Sequence, residues 1–214
     1  MAVPTGTSEP PVGLRAQRLA ERRVALLDAA VRVIRREGDH VAMDDIATEA
    51  GISRPILYRH FGDVSGLYDA VARRFSDELY ARLMRRIDEV PSGRALLHRQ
   101  VVTFLAFVAD DPNLYRFLVR RAPARQRSRP HRNAFSLLVA TRSADFLIGA
   151  GWERPAAVVA SDLLVGGLEA TADRWLDEPV GSYEEVADLV TALAWSGFKT
   201  LARAAAPGDD TPPT

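Results

Sequence analysis

Apolar residues recur along this chain at helical spacing, and no convincing run alternates apolar with polar. That periodicity limits the fold most, because a half-buried strand needs period two and a helix period 3.6. Between residues 14 and 37, Leu19, Leu26, Leu27, Ala30, Val31, Val33 and Ile34 form one stripe, which stops before Gly38. Glycine and proline divide the remainder into pieces of helical length. The spacing predicts helices over 14–37, 43–50, 54–60, 63–89, 92–109, 112–121, 130–149, 155–176 and 182–205. Ser53, Asp63, Asp111 and Ser182 stand where N-caps belong, and Pro55 falls in a first turn, where its missing N–H costs little. The fold class is therefore all-α. Residues 14–62 read as a compact three-helix unit and 63–206 as a larger helical domain, between flexible tails at 1–13 and 207–214.

Several function classes are disfavoured early. There is no cysteine, hence no disulfide, zinc–thiolate site or cysteine nucleophile, as suits a reducing cytoplasm. His40, His60, His98 and His131 lack the close spacing of a helical metal site, so neither metal nor cofactor is expected. No uncharged apolar run approaches the roughly 20 residues of a membrane span, and the first residues have no secretory pattern. No nucleophile motif or phosphate loop supports an enzyme. The 28 basic residues balance the 28 acidic ones, so total charge does not advertise a nucleic-acid binder. Lys199 is the sole lysine. That bias suits either a GC-rich genome or the fork of arginine on phosphate and guanine.

Residues 44–63 read DDIATEAGISRPILYRHFGD. Two short helical patterns flank Gly51, the spacing of a helix-turn-helix. Ile46, Ala47, Ile52, Leu57 and Phe61 face inward, which leaves Arg54, Pro55, Ile56, Tyr58, Arg59 and His60 toward one side or the helix ends. Such a polar-aromatic cluster suits a DNA major groove. There Arg54 or Arg59 could read guanine, Pro55 and Ile56 a thymine methyl, and Tyr58 and His60 a phosphate. Met43 and Arg22 complete the candidate DNA-binding set. Tyr58 could instead pack its ring on the domain, His60 could cap its helix, and the arginines of the first helix could be a solvated face.

Ile46-Ala47, Ala50-Gly51-Ile52-Ser53 and Leu57-Tyr58-Arg59-His60-Phe61, followed by Leu67, strongly resemble the DNA-binding domain of TetR-type (TetR/AcrR) transcriptional regulators. The match covers about residues 14–71. Two departures matter. Ala42-Met43 and then Asp44-Asp45 stand where the family has a capping, phosphate-binding threonine or serine, and Val64 stands where it commonly has a phosphate-binding lysine.

The resemblance implies a ligand-released repressor acting as a homodimer on a near-palindromic stretch of double-stranded DNA. It also implies a small apolar or amphipathic effector in the second domain, where Phe104, Phe107, Phe117, Phe135 and Phe146 could line a pocket or simply fill a core. The last two helices would then pair with a second chain through Val158, Val165, Leu168, Val186, Leu189, Val190, Leu193 and Phe198, with Gly166-Gly167 allowing close approach. Arg120, Arg121, Arg125, Arg127, Arg129 and Arg132 crowd around a loop that reads as solvated or as an anion site. The competing readings are an all-helical enzyme and a helical partner-binding module whose helix-turn-helix no longer binds DNA.

Overall fold

A computed structural model describes residues 12–85, 87–90, 93–120 and 133–204. Residues 1–11, 121–132 and 205–214 lie outside the described residues, and residues 12 and 13, expected in the first tail, belong to the first helix. Among the described residues there are nine α-helices and no strand. They are α1 (Val12–Glu37), α2 (Met43–Glu49), α3 (Arg54–Phe61), α4 (Val64–Met84), α5 (Arg94–Asp110), α6 (Pro112–Arg120), α7 (Ala134–Gly149), α8 (Arg154–Asp177) and α9 (Tyr183–Ala204). Short 3-10 turns follow α1 at Gly38–His40 and α4 at Ile87–Glu89.

The expected helices are all present, with shifted ends. The fourth stops at Met84, because Arg85 turns to an extended conformation. The seventh begins at Ala134, where the Asn133 side chain accepts from the Ser136 N–H at 2.8 Å. Asp63 caps α4 as expected, accepting from the Gly66 N–H. Ser182 and Glu185 form a reciprocal capping box, in which the Ser182 N–H donates to Glu185 Oε2 and the Glu185 N–H to Ser182 Oγ. Ser53 stands at the N-cap of α3, but its side chain makes no capping bond.

One continuous apolar core runs from Leu26 on α1 to Ala187 on α9. In it α7 lies along α8, α5 along α9 and α4 along α7. The first three helices are braced against the rest at two places. At the end of α1, the Arg35 carbonyl accepts from Asn113 Nδ2 at 2.8 Å and the Arg35 guanidinium pairs with Asp111 at 2.5 Å. Along α4, Arg74 pairs with Asp28 of α1. Within the rest, the buried Tyr68 hydroxyl ties α4 to α6 by donating to the Leu118 carbonyl.

α8 qualifies by length and composition alone as a membrane span, which the sequence reading did not anticipate. Here it buries one face among α7, α5 and α9, including Asp162 and Glu169 at intermediate or full burial.

Candidate nucleic-acid interface and cavity

The turn between α2 and α3 follows from its hydrogen bonds. Gly51 donates to the Thr48 carbonyl at 3.1 Å and Ile52 to the Ala47 carbonyl at 3.0 Å. Gly51 takes φ +63°, the left-handed region that glycine enters without strain. Ile46, Ala47, Leu57 and Phe61 are buried beneath the turn. α3 therefore shows its other side to solvent: Arg54, Pro55 and Arg59 are exposed, and Ile56, Tyr58 and His60 are half-buried.

Met43 departs from its expected place. It is 8% exposed within the apolar core and presents no side chain to a ligand. At the first turn of a seven-residue helix, its thioether falls on the inward face with Ile46 and Ala47.

The two aspartates before Ile46 have separate partners. Asp45 Oδ2 accepts from the Ala42 N–H at 2.9 Å, supplying the helix start that a threonine or serine would otherwise provide. Asp44 Oδ2 accepts from Arg54 Nη1 at 3.2 Å. The Arg54 Nε and Nη2 donate to the Tyr58 hydroxyl at 3.2 and 3.1 Å, with the guanidinium 5.5 Å from the tyrosine ring centre.

Arg22 is exposed and near enough to the end of α3 to act on His60. Arg23 donates to the His60 carbonyl and lies 4.8 Å from the Phe61 ring centre, so it caps the recognition helix. Burial lowers the His60 pKa, and Arg22, Arg23 and Arg59 lower it further. These cations make the end of α3 electropositive. Sequence reasoning missed the capping role of Arg23 and the placing of Arg54 by Asp44, since neither contact follows from helix periodicity.

A second feature lies between α4, α5, α7, α8 and α9, where a cavity of about 450 Å³ opens. Leu79, Leu83, Leu97, Phe146, Leu147 and Trp195 give it an apolar wall. Of the five phenylalanines expected there, Phe146 alone lines it. Phe104, Phe107, Phe117 and Phe135 are buried in the core instead. Phe107 and Phe135 stack at 6.5 Å between centres, and Phe104 meets Tyr115 edge-on at 6.4 Å. The cavity lies beside that core, where Leu79 of α4 and Leu97 of α5 belong to both. Tyr80, Trp152 and Trp195 line it and were missed. Arg142 sits in the wall, paired with Asp77 and 3.3 Å from Ser76 Oγ. Gln100 Oε1 and Ser161 Oγ, also of wall residues, are buried without a hydrogen-bond partner.

On the outer side of α8 and α9, Val158, Val159, Leu163, Leu189 and Leu193 are exposed in the single chain. Val165, Leu168 and Val186, expected on that face, point inward and are buried, while Val190 packs against the core from the edge. The Phe198 side chain lies outside the described residues. Gly166 and Gly167 are exposed, and a Cβ on either would meet nothing of this chain.

Residues 26–71 match the family model described as bacterial regulatory proteins, tetR family. Those residues carry the tetR-family DNA-binding segment. Beyond that segment, an uncharacterised helix-turn-helix transcriptional regulator of Mycobacterium tuberculosis is 29% identical over 189 residues, covering 85% of this chain and 79% of the relative. The transcriptional activator FasR of Mycolicibacterium smegmatis is 38% identical over 99 residues, 46% of this chain and 45% of FasR. Among crystal structures, a TetR-like regulator from a Rhodococcus species superposes with a TM-score of 0.58 at 29% identity, covering 83% of this chain and 96% of the other. The chain is thus a transcriptional regulator with a tetR-type helix-turn-helix, and its α2–α3 pair is that motif.

Proposed function

We propose that this regulator binds a near-palindromic operator as a homodimer, represses transcription there, and is released by a small apolar or amphipathic ligand. Residues 14–62 would form the DNA-binding head and 63–206 the effector and dimer domain. The observation that carries the reading is the solvent-facing side of α3, where Arg54, Pro55, Arg59 and the partly covered Ile56, Tyr58 and His60 lie together on a helix short enough to enter a major groove. Arg22 extends the basic surface toward the phosphates.

The cavity supports the ligand. Its volume of about 450 Å³ falls in the ordinary range for small-molecule sites. At about 30 Å³ per water-sized group it would hold on the order of 15 non-hydrogen atoms. α4 runs from the cavity wall at Leu79 to the head at Leu67, so a ligand that favours one α4 position biases the placement of the heads. The dimer is supported by the aliphatic outer face of α8 and α9 and by its exposed glycine pair. One head reads few base pairs, whereas two reach successive major grooves.

Asp44 is the feature that favours a head without DNA-binding function. Its pairing with Arg54 weakens that reading. The test titrates the protein against DNA upstream of its own gene, with excess unrelated duplex at two salt concentrations and Arg59→Ala alongside. Binding that survives the competitor and weakens in the variant supports the reading. If neither this fragment nor a genome-wide selection yields a palindrome, the reading falls. Deleting the gene should raise target transcripts, and a drop would make the protein an activator, as FasR is described.

A further inference from the structure

Arg54 and Arg59 both project from α3 into solvent, and their residue type does not decide which of them reads a base. Their surroundings do. A guanidinium carries five N–H donors. In Arg54, Nε and one N–H of Nη2 go to the Tyr58 hydroxyl, and one N–H of Nη1 goes to Asp44 Oδ2. Two donors remain, one on each terminal nitrogen. Guanine presents two acceptors in the major groove, O6 and N7, and arginine commonly meets them with two donors at once. Arg54 is also the first residue of α3, at the end that reaches base edges when such a helix enters the groove.

The carboxylate of Asp44 has no evident structural need for this arrangement. Its side chain is 68% exposed and that of Arg54 is 50% exposed, and ion pairs so open to water stabilise a fold little. The start of the helix is already served by Asp45. Near DNA, Asp44 would also repel phosphate. An acid there weakens binding to every sequence and is useful only if it helps choose among them.

We propose that Arg54 reads a guanine in each half-site of the operator, and that Asp44 and Tyr58 are positioning residues holding its guanidinium with the two terminal donors free. Asp44 thereby exchanges general affinity for specificity. This inference rests on the DNA-binding reading of α3.

The experiment selects wild-type sites from random duplexes, then measures dissociation constants on three probes: the enriched site, the same site with 7-deazaguanine replacing the fixed guanine, and an unrelated duplex. The deaza base lacks N7 but pairs normally. Wild type should lose about tenfold or more on the deaza probe, the scale of one bidentate base contact. Arg54→Ala should bind both versions alike. Asp44→Ala should bind the unrelated duplex more tightly, yet its ratio between guanine and deazaguanine should shrink severalfold. Tyr58→Phe, which keeps the ring, should shrink the ratio without tightening unrelated binding. Circular dichroism confirms that each variant is folded.

If Asp44→Ala tightens all probes equally, Asp44 is only a repelling charge and the inference is overturned. An enriched site without a fixed guanine, or one indifferent to the deaza base, overturns it too and leaves the regulator reading intact. If no sequence is enriched at all, the regulator reading fails and this inference fails with it.

Discussion

Glu169 on α8 accepts from the Ser136 hydroxyl at 2.7 Å through Oε2, while its Oε1 is buried without a hydrogen-bond partner. Burial pushes its pKa from the ordinary 4.5 up to about 7, against the opposing pull of the Ser136 bond. The folded state therefore holds a proton between those values that the unfolded state has released. Stability from this group is complete below pH 4.5 and is lost as pH rises through about 7. Glu169→Gln keeps the shape and an acceptor for Ser136 but cannot ionise. It should raise stability at pH 8 by up to about 3 kcal/mol, with little change at pH 4.5. Urea melts at the two pH values check this, and equal effects at both would show that Glu169 does not titrate in that window. His60 shifts the other way. Burial and then Arg22, Arg23 and Arg59 lower its pKa, so the free protein keeps it neutral near pH 7. A DNA phosphate at the end of α3 would offset those cations and favour the charged ring. Operator affinity should therefore rise as pH falls from 8 to 6, and the slope should flatten in His60→Gln. A slope that survives the substitution would place the proton elsewhere.

Between α3 and α4, main-chain geometry rather than side-chain chemistry sets the head's shape. A Cβ on Gly66 would stand 1.9 Å from the Phe61 carbonyl oxygen, an overlap that no side-chain rotation relieves. Gly51 is different: its Cβ would meet nothing within 4 Å, and only its positive φ resists substitution. Gly51→Ala should cost about 1–2 kcal/mol. Gly66→Ala should cost more and also weaken DNA binding, because the end of α3 must shift. Thermal melts and operator titration of the two variants test that order. Helix positions were legible in the sequence because apolar period and punctuation mark them locally. The α2–Gly51–α3 turn was legible for the same reason, since its hydrogen bonds span only a few residues. The cavity was not. Phe107 and Phe135 were the conspicuous residues, yet they stack on each other in the core, and the wall is made by residues such as Leu79, Gln100 and Trp195 from separate helices. Periodicity shows which residues are apolar but not which of two apolar stripes faces a void. The same limit explains Met43, Val165, Leu168 and Val186, which fit the apolar pattern but proved to face the chain's own core.

Across the whole molecule, the head is tied to α4 by Arg74 pairing with Asp28, and α4 is tied in turn to α6 by the Tyr68 hydroxyl on the Leu118 carbonyl. From Tyr68 to Leu79 is about 16 Å at the rise of an α-helix, so one rigid element joins the head to the proposed ligand site. Tyr68→Phe removes the buried hydroxyl bond while keeping the ring against Phe117, 5.8 Å away between centres. If α4 transmits the signal, this variant should still bind operator and ligand but change the factor by which ligand weakens DNA binding. An unchanged factor would place the coupling elsewhere. The proposed dimer would use the opposite side of the helices α8 and α9. Leu163 is 70% exposed and Leu193 is 79% exposed, on neighbouring helices whose inner faces are filled by Val165, Leu168 and Val186. Leaving two leucines this open forgoes about 1.5–3 kcal/mol each relative to burial, and a self-complementary face recovers it when two copies meet. Leu163→Asp with Leu193→Asp should give a folded monomer, because neither residue supports the internal core. Operator affinity should fall toward that of one head, and each head should still prefer its own half-site. Sedimentation would show the mass and circular dichroism the retained helix. A double variant that stays dimeric would move the interface off this face.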